Sequence, residues 1–279
     1  MTAAMLDLRA LSAAALKEVR VIRRYPALWA GMLFWPVLLP AVYVLQAHAY
    51  AGGDPRATAA FLSRSGTSQL AGFIFLGWSV YMWLSMALWG PGTALRQQQV
   101  QGQLEAVFLT PASRAAVLFG PVVAYLALTL WMLFVVGVAL RLAFGVTLGA
   151  GEAARALAVV VASTPAIYGI GALFSSAVLR WREVNGLVQV VRGLFTVFCG
   201  MTYPIAILPQ WAQHVAYSLP PTYVIGDFRQ VLLRGASLAQ VAPDLLILLA
   251  SGAVLCILSA VAFHATERYA RGGGSLVQF

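Results

Sequence analysis

The chain carries little charge. Of its 279 residues only 10% are Asp, Glu, Lys or Arg, where a soluble domain has about 25%. Lysine occurs once, at Lys17, in Leu16-Lys17-Glu18-Val19. No Gly-x-x-x-x-Gly-Lys-Ser/Thr loop can therefore be written, and any ATP hydrolysis must belong to a separate chain. There are two cysteines, Cys199 and Cys256, both inside apolar runs, which argues against a disulfide framework or a thiolate metal site. The three histidines are scattered, His48 and His214 on expected outer segments and His264 at an expected inner span end, and interfacial structural roles are expected of them rather than ligation. No Asp-x-x-Asp pair of the kind used by membrane prenyl or phosphoalcohol transferases occurs, and no Ser/His/Asp set. No catalytic or metal-binding residue is assigned, and no cofactor is expected on this chain. Residues 1–15 lack a basic start, and no small-residue cleavage site follows the first apolar run, so a cleavable leader is not expected.

What remains is apolar. Hydrophobic residues make up 61% of the chain, which indicates a membrane protein. Six apolar runs fall near 27–46, 69–89, 115–140, 156–179, 187–207 and 245–264. Each has the roughly 20 residues needed to cross a hydrocarbon core of about 30 Å. Pro36 and Pro40 are expected to bend the first span. Trp78, Tyr81, Trp83 and Trp89 crowd the second, as packing or interface aromatics or as part of a substrate path. The formal net charge of +9 would suggest nucleic acid in a soluble protein. Here the positive-inside rule and anionic headgroups account for it, and no nucleic-acid partner is expected.

The basic residues also orient the chain. With the N-terminus inside, eleven fall on inner segments: Arg9, Lys17, Arg20, Arg23, Arg24, Arg96, Arg114, Arg180, Arg182, Arg268 and Arg271. Six fall on outer segments: Arg56, Arg64, Arg141, Arg155, Arg229 and Arg234. The bias places both termini and the stretch 90–114 in the cytoplasm. Ahead of the first span, residues 7–24 read as an amphipathic helix. Leu8, Leu11, Ala15, Val19 and Ile22 share one face, opposite Arg9, Lys17, Arg20 and Arg24. Such a helix lies in the headgroup region.

Between the second and third runs, Gly90, Pro91 and Gly92 break the helix, and Leu104, Val107 and Phe108 then recur at helical spacing. Thr110-Pro111 ends that short helix. It is either an ordinary solvated loop or an element that a soluble partner grips. Residues 203–234 contain Pro204, Pro209, Pro220 and Pro221, too broken for one helix yet apolar enough to dip into the bilayer. A short helix over 209–219, returning part way into the outer leaflet, is expected there. Arg192 is the one basic residue within a span. It either snorkels to the inner interface or contacts an anionic headgroup.

Two of these stretches resemble a known family. Gly102-Gln103-Leu104-Glu105, then Leu109-Thr110-Pro111, then Ser113-Arg114, is similar to the Gly-Thr-Leu-Glu … Thr-Pro-x-Ser-Arg segment of type-2 ABC transporter permeases. Gln103 stands where the family has Thr, and Gln97, Gln98, Gln99 and Gln101 replace upstream charges. Tyr203-Pro204 … Leu208-Pro209-Gln210-Trp211 … Pro221-Thr222-Tyr223 … Arg229 resembles the signature that follows the family's fifth span.

The resemblance implies a single all-α membrane domain over 1–279, with six transmembrane helices. It adds an interfacial helix (1–26), a cytoplasmic coupling helix within 90–114, and outer re-entrant helices within 204–225. It further implies the transmembrane subunit of an ATP-driven exporter, in the bacterial inner membrane. The partners would be a second permease subunit, surrounding lipids and ABC ATPase subunits, which hold the ATP and magnesium. Gly102, Leu104, Glu105, Phe108, Thr110 and Pro111 would couple to the ATPase. Trp78, Tyr81, Arg192, Phe195 and Phe198 are the candidates for the substrate path. A lipid, glycolipid, polysaccharide or drug-like amphiphile suits walls with few charges. The rival classes are an ion-coupled carrier or flippase acting alone, and a membrane-anchored assembly protein. A carrier needs Asp, Glu or His at mid-depth, and the six runs show none.

Overall fold

The computed structural model describes residues 3–51, 54–90, 93, 96, 100–102, 114–145, 149–181 and 185–272. Among these there are ten α-helices and no strand. In chain order they are α1 (Ala3–Arg24), α2 (Pro26–Ala51), α3 (Pro55–Ser65), α4 (Leu70–Trp89), α5 (Arg114–Phe144) and α6 (Ala150–Trp181). There follow α7 (Asn185–Phe198), a 3-10 turn (Ile205–Ile207), α8 (Gln210–Ser218), α9 (Pro220–Leu233) and α10 (Leu238–Gly272). Five helices carry stretches long and apolar enough to cross a membrane: Leu33–Tyr50, Leu70–Trp89, Phe119–Phe144, Ala150–Val178 and Leu238–Ala265.

The expected fifth span, 187–207, takes a different form. Its helix, α7, stops at Phe198 after 14 residues, about 21 Å at 1.5 Å per residue. Gly200 adopts φ +65, a left-handed turn that a helix cannot continue through, and Pro204 follows within the same connection. The expected break in 203–234 is real, but the segment holds two helices. α8 occupies the expected 209–219 position. Pro220 and Pro221 then open α9, where a first-turn proline sacrifices no helix hydrogen bond. Helix α3 lies outside the six apolar runs, and Asp54-Pro55 and Gly66 are its start and stop. Asp54 accepts a hydrogen bond from the Arg56 amide at 2.8 Å, and Gly66 closes the helix at φ 66. In α2 the helix continues through Pro36 and Pro40.

α4 is the centre of the molecule. Phe75, Val80, Trp83, Leu84, Ala87 and Leu88 on it are fully buried, and it packs against α2, α5, α6, α7 and α9. Lipid tails are as apolar as these side chains, so such packing is driven by close contact rather than by escape from water. The α6–α10 pair shows the same economy of space: a Cβ on Gly252 would fall 2.8 Å from the Ala166 amide nitrogen. α1 lies along α5, with Ala14 against Gly120. Its partly covered residues include Leu11, Ala14, Ala15 and Glu18, whereas Val19 is exposed. The covered strip is thus rotated from the one that periodicity suggested.

Candidate coupling and transport site

Three clusters are strung along α4. At its Trp89 end the chain turns: the Gly90 amide donates to the Met86 carbonyl at 2.9 Å, and the Thr93 hydroxyl to the Trp89 carbonyl at 2.6 Å. Gly102 is exposed at φ +67, and a Cβ there would meet nothing within 4 Å, so its backbone conformation, and not crowding, favours glycine. Leu104, Glu105, Phe108, Thr110 and Pro111 lie outside the described residues.

The middle cluster joins α2, α4 and α7. Trp78 stacks on Tyr43 with ring centroids 5.0 Å apart and meets Tyr81 edge-on at 4.9 Å. The Arg192 guanidinium sits 5.0 Å from the Tyr81 ring centre, donates from Nε to the Ser85 hydroxyl at 3.1 Å and from Nη1 to Gln189 Oε1 at 3.3 Å. All three partners are neutral, so its charge is held by dipoles and a ring face. Trp78 and Tyr81 are buried, and the Trp78 indole nitrogen has no hydrogen-bond partner. Arg192 is therefore anchored to α4. Phe195 is buried one turn further on, and Phe198 meets Trp211 of α8 edge-on at 6.0 Å. The structure brings Trp78, Tyr81 and Arg192 into one cluster and sets Phe198 apart against α8.

The third cluster caps the Leu70 end. Arg229 of α9 donates to the Phe73 carbonyl through Nε (3.2 Å) and Nη2 (3.0 Å), and Nη2 also reaches the Met201 carbonyl at 2.7 Å. Its guanidinium carbon lies 3.3 Å from the Phe73 ring centre. One side chain thus ties α9, α4 and the 199–203 turn together. The turn can come so close only because residue 77 is glycine: a Cβ there would lie 2.0 Å from the Met201 carbonyl oxygen. Arg229 counts as an outside charge in the sequence tally; the fold instead buries it as a clamp. Asp227, on the same helix, is fully buried with both carboxyl oxygens lacking a hydrogen-bond partner. Burial first, then the nearby carboxylate of Asp244 on α10, push its carboxyl up from 3.8 to about 8. Sequence reasoning missed the roles of Asp227 and Arg229. Their one signal was that two opposite charges stand two residues apart in an otherwise apolar stretch.

Among the described residues these clusters belong to a helical structure with five membrane-length helices, a capped end and a turn at the Gly90 end of α4. The family model described as ABC-2 family transporter protein matches residues 54–261. The chain belongs to the ABC-2 transporter family. It is a multi-pass membrane permease, the transport subunit of a system that works with an ABC ATPase subunit. No curated protein matches the permease. The matched region takes in α3 to most of α10, and with them the 90–114 segment, Arg192 and the Arg229 clamp; α1 and α2 precede it.

Proposed function

We propose that this permease is the membrane subunit of an ATP-driven exporter. It moves a lipid, glycolipid, polysaccharide or drug-like amphiphile outward, and the ATPase subunits that bind and hydrolyse ATP grip the 90–114 segment. On this reading α7 is the fifth of six spans, completed by the 199–203 turn, and α8 and α9 re-enter the bilayer from outside. Both termini are cytoplasmic, and the working unit contains two permeases in a bacterial inner membrane.

The observation that carries the reading is the way α4 is held. It is buried along its length, it ends at Gly90 where the coupling segment begins, and Arg192 and Arg229 fasten it to α7 and to the cap. A displacement applied at 90–114 would reach the α7 cluster and the cap through one rigid helix.

The test is at Glu105 and Phe108. A Phe side chain seated in a groove on the ATPase contributes roughly 1.5–3 kcal/mol, and an acidic side chain fixes register by pairing with a basic residue there. Glu105→Ala with Phe108→Ala should release the ATPase or uncouple hydrolysis from transport, with membrane insertion unchanged. Retention of the ATPase through purification together with normal transport would refute the coupling role.

One observation favours the ion-coupled alternative, namely the buried acid Asp227. If transport by vesicles with excess ATP stops on collapse of the proton gradient, and Asp227→Asn abolishes it, that alternative replaces the exporter reading.

A further inference from the structure

A groove of about 470 Å³ opens on the side of the bundle between α5 and α6, with α4 and α9 as its floor. Its walls are apolar: Leu130, Phe134, Leu157, Val160, Phe228 and Leu232. Phe134 is 62% exposed and Leu157 48%, so two large side chains flank an open slot where a bundle would ordinarily close. None of the lining residues comes from α2 or α7. The groove is therefore separate from the Arg192 cluster.

The groove runs along α5. Leu130 lies at the deep end, and Arg141 stands at the mouth, eleven residues along α5 from Leu130. Eleven residues at 1.5 Å each give a slot roughly 16 Å long, the depth of about one leaflet of a 30 Å core. The Ser79 hydroxyl, the one other polar side chain in the lining, is already bonded to the Phe75 carbonyl at 2.7 Å. Arg141 is the only charged lining residue, and it has no ion pair or hydrogen bond among the described residues. Glu152, the nearby acid on α6, is engaged by Arg155 at 3.7 Å and by the Gly149 amide. The mouth is net positive, and what fits it is an anion on an apolar stem.

We propose that this groove is a lipid seat: one acyl chain of an anionic phospholipid lies between α5 and α6, with its phosphate against Arg141. Charge complementarity at the mouth and the leaflet-length apolar slot select that occupant. A lipid held there is a resident of the transporter. It fills the gap between α5 and α6 and stabilises their packing, without entering a path along α7.

Native mass spectrometry of the detergent-purified permease tests this, with phosphatidylglycerol and phosphatidylcholine added separately after delipidation. The wild type should retain one phosphatidylglycerol per chain in preference to phosphatidylcholine. Arg141→Gln, a substitution at an exposed position, should reduce that preference by about fivefold, the contribution of one arginine at an anionic lipid surface. Ala156→Phe, which fills the slot, should reduce retention of both lipids; a monodisperse gel-filtration profile shows that the variant is folded. Equal retention of phosphatidylglycerol by all three proteins would overturn the proposal, as would a wild type that binds neither lipid. Displacement of the lipid by millimolar inorganic phosphate alone would also overturn it, since Arg141 would then be a free-phosphate site.

Discussion

Arg229 and Asp227 are two residues apart and do opposite things. The guanidinium satisfies two backbone carbonyls and stacks on Phe73, so its burial is compensated. A lysine in its place presents a point charge and cannot span both carbonyls. Arg229→Lys should cost about 1.5–3 kcal/mol, the worth of a hydrogen bond to a charged group, and lower Tm by several degrees in a tryptophan-fluorescence melt. An unchanged Tm would mean that the clamp contributes nothing. Asp227 has no cation beside it among the described residues and faces a second acid, Asp244. Its folded value of about 8 stands above the unfolded 3.8. Between those values the native state keeps a proton that the unfolded chain has lost, so stability falls as pH rises through that window and is level outside it. Asp227→Asn should remove the slope, and its melting temperature should exceed that of the wild type by more at pH 8 than at pH 5. Parallel profiles for the two proteins would contradict this assignment.

α4 shows what a helix needs in order to serve as a hub. It is apolar all round, so no amphipathic stripe singles out a partner, and its neighbours are chosen by shape. Gly77 is where shape matters most. An alanine there would collide with the Met201 carbonyl and approach Arg229 Nη2 to 2.8 Å, both of which belong to the cap clamp. Gly77→Ala should cost about 1–3 kcal/mol through overpacking and make the 199–203 turn easier to cleave by protease. Gly193→Ala is the control, since a Cβ on that residue of α7 meets nothing within 4 Å. Equal melting temperatures for the two variants would show that the turn does not press on α4. The same crowding explains why α7 was legible as apolar but not in its length. Val188 and Phe195 are buried on it, while its end is set by the left-handed turn at Gly200 and the docking of the following segment.

For the molecule as a whole, the arginine distribution predicts which loops face which side. Single cysteines at Ala60 and Gln213 should react with an impermeant reagent added to intact cells, and those at Gln99 and Arg182 should not. The background lacks Cys199 and Cys256, although Cys199 is fully buried and out of reach of such a reagent. Labelling of position 99 from outside would reverse the orientation and remove the ATPase-facing reading of 90–114. The orientation survives the burial of Arg229, because removing one outside arginine strengthens the inside bias.

Composition and run length by themselves determined that this is a helical membrane protein, and where its long helices lie. A span must be apolar for about 20 residues wherever it sits, so that signal is local. Between α7 and α9 the prolines and Gly200 mark where helices start and stop: Pro204, Pro209 and the Pro220-Pro221 pair all stand at or beside element boundaries, whereas α2 runs on through Pro36 and Pro40. The Asp54-Pro55 and Gly66 signals of α3 are equally present, yet a short polar helix contributes nothing to a hydropathy pattern. Only the tertiary structure decided what holds each charge. Arg192 and Arg229 carry the same charge in similar apolar surroundings along the chain, yet one leans on Ser85 and Tyr81 and the other clamps carbonyls of α4 and the 199–203 turn. Ser85 lies 107 residues away from Arg192, and the two carbonyls lie 156 and 28 residues away from Arg229. What holds a charge inside such a protein is the set of dipoles around it, and that set comes from distant parts of the chain.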